Sequence, residues 1–321
     1  MITAYENTGG KIAAINAEKT VPKNAAWVDL LNPTDEERAF ISKALGIHLP
    51  TAADIRSIEA SSRLYSEGDA VYLTLDVLSA SAMPDPVLDA LLIVVTPKTM
   101  VTMRFCEPRS VENFVARLGQ QPALLATPQD GLLGLLDAIT DRMADILEII
   151  GKDSDLISTQ IFRRGSPGQK EKRLEEILQS LGRLGGSTQK IRDSISGMAR
   201  LLTFLEPRIM PGLTPEQMAK FQALDRDVNS LTEHAQFAAQ ETSFLLDAAL
   251  GQINIEQNNI IKFLSIVMVV FTPPTFFASM WGMNFHDMPE YAWSWGYPMA
   301  WLVMVVSAVL PLIYFRRRGW F

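Results

Sequence analysis

Apolar and polar positions alternate over the first third of the chain, then fall into steps of three and four. Runs such as "AAWVDL" (25–30), "AVYLTLDVL" (70–78), "VLDALLIVV" (87–95) and "MVTMRF" (100–105) predict strands. Between them, "NPTDEERAFISKALG" predicts a helix, with Thr34 and Glu37 spaced as a capping box and Gly46 as its stop. "SVENFVARLG" (110–119) predicts another. From about Gly131 only the helical rhythm remains. It is broken at "RGSPGQ" (164–169) and again at "EPRIMPGLTPEQ" (206–217), the helix between them ending near Leu205. Thr214, Pro215 and Gln217 form a helix start: a capping hydroxyl, Pro at the first position and Gln three residues after the cap. Beyond Pro215 no Gly occurs until Gly251 and no Pro until Pro273, which predicts one helix on the order of 100 Å long. Such a helix needs partners for its apolar face, so self-association is expected.

Two segments, 263–281 and 297–315, carry no charge at all. At about 1.5 Å per residue each is long enough to cross a bilayer. The opening "MITAYENTGG" has no apolar core of the signal-peptide kind, so roughly the first 255 residues are expected to stay on the side of synthesis. Two crossings then return the C-terminus to that side, where Arg316, Arg317 and Arg318 agree with the positive-inside rule. Trp281, Trp293, Trp295, Trp301 and Trp320 lie near the ends of the spans, as in an aromatic belt. The expected organisation is an α+β cytoplasmic domain (1–125), a helical stalk (126–257) and a transmembrane pore domain (258–321). Within the last, the spans cover about 260–281 and 297–315, joined by a loop at 282–296 and followed by a basic tail.

Bulk composition narrows the chemistry. A net charge of −7 gives no basic face for nucleic acid. One cysteine, Cys106, excludes an internal disulfide, and His48, His234 and His286 are too dispersed for a zinc site. No phosphate-binding loop, G-x-S-x-G or H-E-x-x-H is present, so neither an enzyme, a nucleotide-driven pump nor an organic cofactor is expected.

The first span has a second texture. Asn258, Ile261, Ser265, Met268, Thr272, Thr275 and Ser279 are separated by alternating steps of three and four, a single seam of a gently supercoiled helix. Phe263, Val267, Val270, Phe276 and Phe277 lie on other faces. Two readings stand side by side. Small hydroxyl residues permit close helix packing or bond back to their own backbone. Alternatively the seam lines a water-filled path, which several copies would have to enclose around one axis. Pro273 and Pro274 within the span permit a packing kink.

The seam runs out at Gly282, Met283 and Asn284. In a ring of copies these become a collar of carbonyl and amide oxygens, hard uncharged ligands. Such a collar can hold a hydrated Mg²⁺ through its waters without gripping it too tightly to release. The following loop holds Asp287 and Glu290 and no Lys or Arg, which would raise the local cation concentration.

"WGMNFHDMPEYAWSWGYP" and the closing "YFRRRGWF" resemble the CorA family of magnesium channels, whose hallmark is Tyr-Gly-Met-Asn followed by a Met-Pro-Glu loop. "INIEQNNIIKFL" (253–264) and "FTPPT" (271–275) resemble its proteobacterial branch. The resemblance implies a homopentamer with a funnel-shaped cytoplasmic part, in a bacterial inner membrane, with both termini cytoplasmic. It implies inward passage of Mg²⁺, with Co²⁺ or Ni²⁺ also admitted. Gly282, Met283 and Asn284 resemble the selectivity collar and Asn258 a polar ring near the inner end. Leu264, Met268 and Thr272 fall at the narrow neck. Lys262 and Arg316–Arg318 resemble a basic collar at the cytoplasmic mouth.

Three departures stand out. Trp281 replaces the usual Tyr, and Tyr291 replaces the Leu after Met-Pro-Glu. Thr272 takes a position that is commonly apolar, which would shift a dewetting gate to Leu264 and Met268. A divalent ion gains about 4.6 kcal/mol in falling through 100 mV, so inward flow needs no other fuel. The family also implies a brake: Mg²⁺ held by carboxylates between cytoplasmic domains. The candidates here are Asp225 and Asp227 opposite an acid such as Asp85. Solvated acidic faces are the alternative for these residues. A transporter of another divalent metal, such as zinc, is the close rival, though the zinc-moving branch usually has Val where Met283 stands. A non-conducting membrane-anchored sensor or scaffold is a rival of another class.

Overall fold

The computed structural model describes residues 1–8, 11–17, 20–22, 24–55, 63–79, 87–163, 170–284, 286 and 288–320. Seven strands form one sheet: β1 (Ile2–Thr8), β2 (Lys11–Asn16), β3 (Ala25–Leu31), β4 (Leu64–Glu67), β5 (Ala70–Ser79), β6 (Val87–Val95) and β7 (Met100–Arg104). Their spatial order is β2-β1-β3-β7-β6-β5-β4. Only β3 and β7 run parallel, with Asp29 beside Thr102 and Leu31 beside Arg104. The other neighbours are antiparallel.

The expected strands at 25–30, 70–78, 87–95 and 100–105 are all present, with ends differing by a residue. The β1–β2 pair and β4 were not read from the pattern. β2 is largely exposed, so no buried face imposes an apolar alternation on it. Helix α1 (Asp35–Leu45) begins at the expected box. The Thr34 hydroxyl accepts from the Glu37 N–H, the Glu37 carboxylate accepts from the Thr34 N–H, and Gly46 closes the helix at φ +68°. A single turn, α2 (Ala52–Ile55), follows.

Alternation along the strands sends residues to two faces. Val28, Leu30, Leu92, Val94, Val101 and Met103 bury one face with Ile41 and Ile55 of α1 and α2. Trp27 and Thr102 lie on the other, where Trp27 packs 5.3 Å from Phe114 of α3 (Arg109–Gln120). That face is covered further by α4 (Pro128–Phe162) and α5 (Lys170–Ile209). Ser194 of α5 donates to the Asp76 carbonyl of β5 at 2.6 Å, and a methyl group added at Gly197 would meet Leu75 at 3.3 Å.

A polar network sits beneath the helical layer. The buried Asp29 carboxylate accepts from the Thr102 hydroxyl (2.6 Å) and from the Arg104 Nε and guanidinium (3.2 and 2.8 Å). Thr102 in turn accepts from the Trp27 indole at 2.9 Å. Each polar group of this network thereby has a partner, and its charges are paired bidentately.

Helix α6 runs unbroken from Pro215 to Trp281, 67 residues, as the sequence predicts. Thr214 and Gln217 form its box, and the Gln217 amide also reaches Thr127 and Asp130 at the start of α4 (3.2 and 3.0 Å). Helix α7 (Gly296–Arg317) closes the chain after a short 3₁₀ turn at Pro289–Ala292. Two compact units are distinguished, Met1–Leu246 and Asp247–Phe321. Helices α6 and α7 each hold a stretch long and apolar enough to cross a membrane, and only 6% of each stretch is buried.

Candidate functional site: the exposed face of the long helix and the break after it

Within the first unit, α6 buries Phe221, Leu224, Val228, Ala235 and Leu245, with Leu231, Ala238 and Thr242 half-buried. These positions follow steps of three and four. In the second unit the same steps pass through the buried Ile266 and the half-buried Val270, Pro273 and Phe277. At 100° per residue, the predicted seam of Asn258, Ile261, Ser265, Met268, Thr272, Thr275 and Ser279 is centred roughly 140° around the helix from the face of Ile266, Val270, Pro273 and Phe277. Ser265 is half-buried and the other six are exposed. Leu264 and Lys262 are exposed as well.

Three of the four hydroxyls on the seam bond back to their own helix. Ser265 donates to the Ile261 carbonyl (2.8 Å), Thr272 to Met268 (2.6 Å) and Thr275 to Phe271 (2.7 Å). Back-bonding, one of the two readings open at the sequence level, is therefore present. It also has a chemical consequence. Each hydroxyl has spent its only proton on the backbone, so its oxygen faces outward as an acceptor. Water bound to a divalent cation points its hydrogens outward, and acceptor oxygens suit it. Pro273 and Pro274 lack the N–H that would reach the Val269 and Val270 carbonyls, which adds acceptor capacity to the same stretch.

The helix ends at Trp281. The Gly282 N–H closes on the Ala278 carbonyl at 2.9 Å, and a methyl group added at Gly282 would come within 3.1 Å of that oxygen. Met283 reaches back to the Met280 carbonyl at 3.4 Å, and Gly282, Met283 and Asn284 are all exposed. A helix C-terminus carries roughly half a negative charge on its last carbonyls. The break thus places cation-attracting dipoles where the seam ends, with the Asn284 amide beside them. Sequence reasoning identified the three residues and their oxygens but not the helix terminus that sums its dipoles there. The signal for it was the break itself.

The remaining candidates separate by location. Arg316, Arg317 and Arg318 are exposed at the end of α7. Glu290 lies on the 3₁₀ turn. Asp85 and Asp287 lie outside the described residues. Asp225 and Asp227 are exposed on α6, where Asp225 accepts from the Asn229 amide at 3.2 Å. Asp227 is close enough to Asp137 of α4 to act on it. Desolvation and the neighbouring Asp141 raise the Asp137 carboxyl above the usual range, Asp227 adds to this, and Arg117, bridging Asp137 and Asp141 at 3.1 and 2.6 Å, opposes it. Sequence reasoning did not connect these acids, which lie on two helices, α4 and α6, with their Arg117 partner on α3. Among the described residues of the chain, no group of three or more His, Cys, Asp or Glu is placed to hold a metal.

Residues 22–317 match the family model of the CorA-like Mg²⁺ transporter protein. The chain belongs to the CorA family. It is 32% identical, over the full length of both chains, to the magnesium transport protein CorA of Haemophilus influenzae. The same identity and coverage hold for the magnesium transport protein CorA of Escherichia coli. Among solved structures, the complete CorA magnesium transporter of Methanocaldococcus jannaschii superposes with a TM-score of 0.77 at 19% identity, covering 100% of this chain and 99% of that one. The CorA fold, a mixed α/β part followed by a long helix and a C-terminal apolar helix, is thus common to both. The family is one of transporters rather than enzymes.

Proposed function

We propose that the protein is a channel for Mg²⁺, built from copies of the chain around a shared axis in a bacterial inner membrane. The ion moves inward down the membrane potential, and both termini lie in the cytoplasm. Each copy turns the seam from Asn258 to Ser279 toward the axis. Gly282, Met283 and Asn284 form the selective collar at the outer end, Asp287 and Glu290 gather cations before it, and Leu264 and Met268 close the neck. Five copies, and passage of Co²⁺ or Ni²⁺ beside Mg²⁺, follow the family resemblance. The observation that carries this reading is the exposure of the acceptor-rich seam away from the covered face of α6, ending at the helix terminus of Gly282–Asn284. Two full-length relatives named magnesium transport proteins support the choice of ion.

Internal Mg²⁺ is proposed as the brake, held by Asp225 and Asp227 together with an acid of a neighbouring copy such as Asp85. A cation there would offset the repulsion from Asp227 that adds to desolvation and Asp141 in raising Asp137. The lead test is Mg²⁺ uptake into liposomes containing the purified protein. Removing a hydrogen bond to a charged species costs about 1.5–3 kcal/mol, so Asn284→Ala should slow uptake by roughly ten- to a hundredfold. Uptake no faster than in protein-free liposomes, with or without the substitution, would support the non-conducting alternative, and preference for Zn²⁺ in competition would support the zinc alternative. In the same assay Asp225→Lys with Asp227→Lys should abolish inhibition by internal Mg²⁺.

A further inference from the structure

The C-terminal end of α7 is built more elaborately than a helix that merely stops. Gly319 takes φ +72°, the Gly319 N–H donates to the Arg316 carbonyl (3.2 Å) and the Trp320 N–H donates to the Phe315 carbonyl (3.1 Å). This is a Schellman cap, and its customary apolar contact is present as Trp320 stacked on Phe315 at 5.1 Å. The fold-back holds Trp320 at the level of Phe315 instead of letting it trail into solvent. Arg316, Arg317 and Arg318 are thereby gathered into one exposed turn bracketed by aromatic rings, with the Arg318 guanidinium 5.6 Å from the Tyr314 ring. Among the described residues, none of the three has a carboxylate within ion-pair distance. In a chain whose net charge is −7, this is a concentrated positive site, unpaired among the described residues.

We infer that this capped turn is a binding site for the headgroup of an anionic phospholipid. Guanidinium groups match phosphate oxygens in pairs, and the site ends a 22-residue apolar helix, where a headgroup lies. The Phe315–Trp320 stack offers an apolar wall with a polar edge, suited to the glycerol and ester region of a lipid and of no use to a free phosphate ion. The inference takes from the proposed function only that α7 spans the membrane, and it does not require conduction.

The test uses the full-length protein in a zwitterionic detergent and counts bound lipid by native mass spectrometry. Phosphatidylglycerol, phosphatidylcholine and inorganic phosphate are added separately. Phosphatidylglycerol should be retained and phosphatidylcholine should not. Each Arg near an anionic surface contributes roughly fivefold, so Arg316→Gln, Arg317→Gln and Arg318→Gln together should weaken phosphatidylglycerol binding roughly a hundredfold. Gly319→Ala keeps every charge but strains the positive φ, and should weaken it several-fold. Unchanged phosphatidylglycerol binding by the triple variant would overturn the inference. So would competition by inorganic phosphate at lipid-like concentrations, which would mark a site for free anions. A protein that binds the lipid but passes no Mg²⁺ would leave the inference standing and remove only the channel.

Discussion

Thr102 and Thr272 have the same side chain and opposite surroundings. Thr102 is fully buried in the sheet, where its hydroxyl accepts from Trp27 and donates to Asp29. Thr272 is exposed on an apolar helix, and its hydroxyl donates to its own backbone. In the sheet of the first unit the polar groups Asp29, Thr102 and Arg104 are tied to one another, and the apolar residues around them are buried. In the second, Phe263, Val269, Phe271, Leu302 and Leu310 are among the exposed residues, and the four hydroxyl residues of 263–281 lie along one seam. The first arrangement solves folding in water, where an unpaired buried charge is the chief penalty. The second suits lipid, where apolar side chains may face outward and the backbone must satisfy itself within the helix. A hydroxyl there contributes little to stability, and its oxygen is left as an outward acceptor.

This contrast can be broken most forcefully at Arg104. Arg104→Ala leaves the buried Asp29 carboxylate without its bidentate partner and should cost about 3–5 kcal/mol, read by denaturant unfolding of the solubilised protein. The paired exchange Thr102→Val and Thr272→Val sharpens it. The first should cost about 2 kcal/mol because Asp29 and Trp27 both lose a partner, whereas the second should stay within about 0.5 kcal/mol. Equal costs would mean that the seam is a structural feature like the buried network. Leu264→Ala with Met268→Ala should leave unfolding nearly unchanged yet raise closed-state leakage by roughly tenfold, since a smaller apolar ring wets more easily.

The smallest effect belongs to the α1 cap. Thr34→Ala should cost about 1 kcal/mol. The Thr34 N–H holds the Glu37 carboxyl below its ordinary value. A lowered carboxyl contributes stability that is complete above the ordinary value, about 4.3, and is lost as pH falls through the lowered one. Glu37→Gln should remove that portion of the acid sensitivity of the first unit.

Local chemistry made much of this molecule legible. Both capping boxes, at Thr34 and Thr214, rest on residues three apart, and the helices begin there. The absence of Gly and Pro after Pro215 predicted α6, and the three–four spacing of its polar residues predicted their common face. The Asp29–Arg104 pair could not be seen because its members are 75 residues apart and meet only through the parallel β3–β7 pairing. β2 escaped because an exposed strand has no apolar rhythm to betray it.

What the sequence alone determined, then, was everything governed by spacing along one element: caps, spans, the length of α6, the seam and the Gly-Met-Asn break at its end. Tertiary structure decided which side of α6 is covered and which stays open, how Asp137, Asp141 and Asp227 come to act on one another, and where Trp320 folds back. The physical reason is that burial is a relation between elements. A periodic pattern specifies that a helix has faces, but only the neighbours that pack against it decide what each face meets.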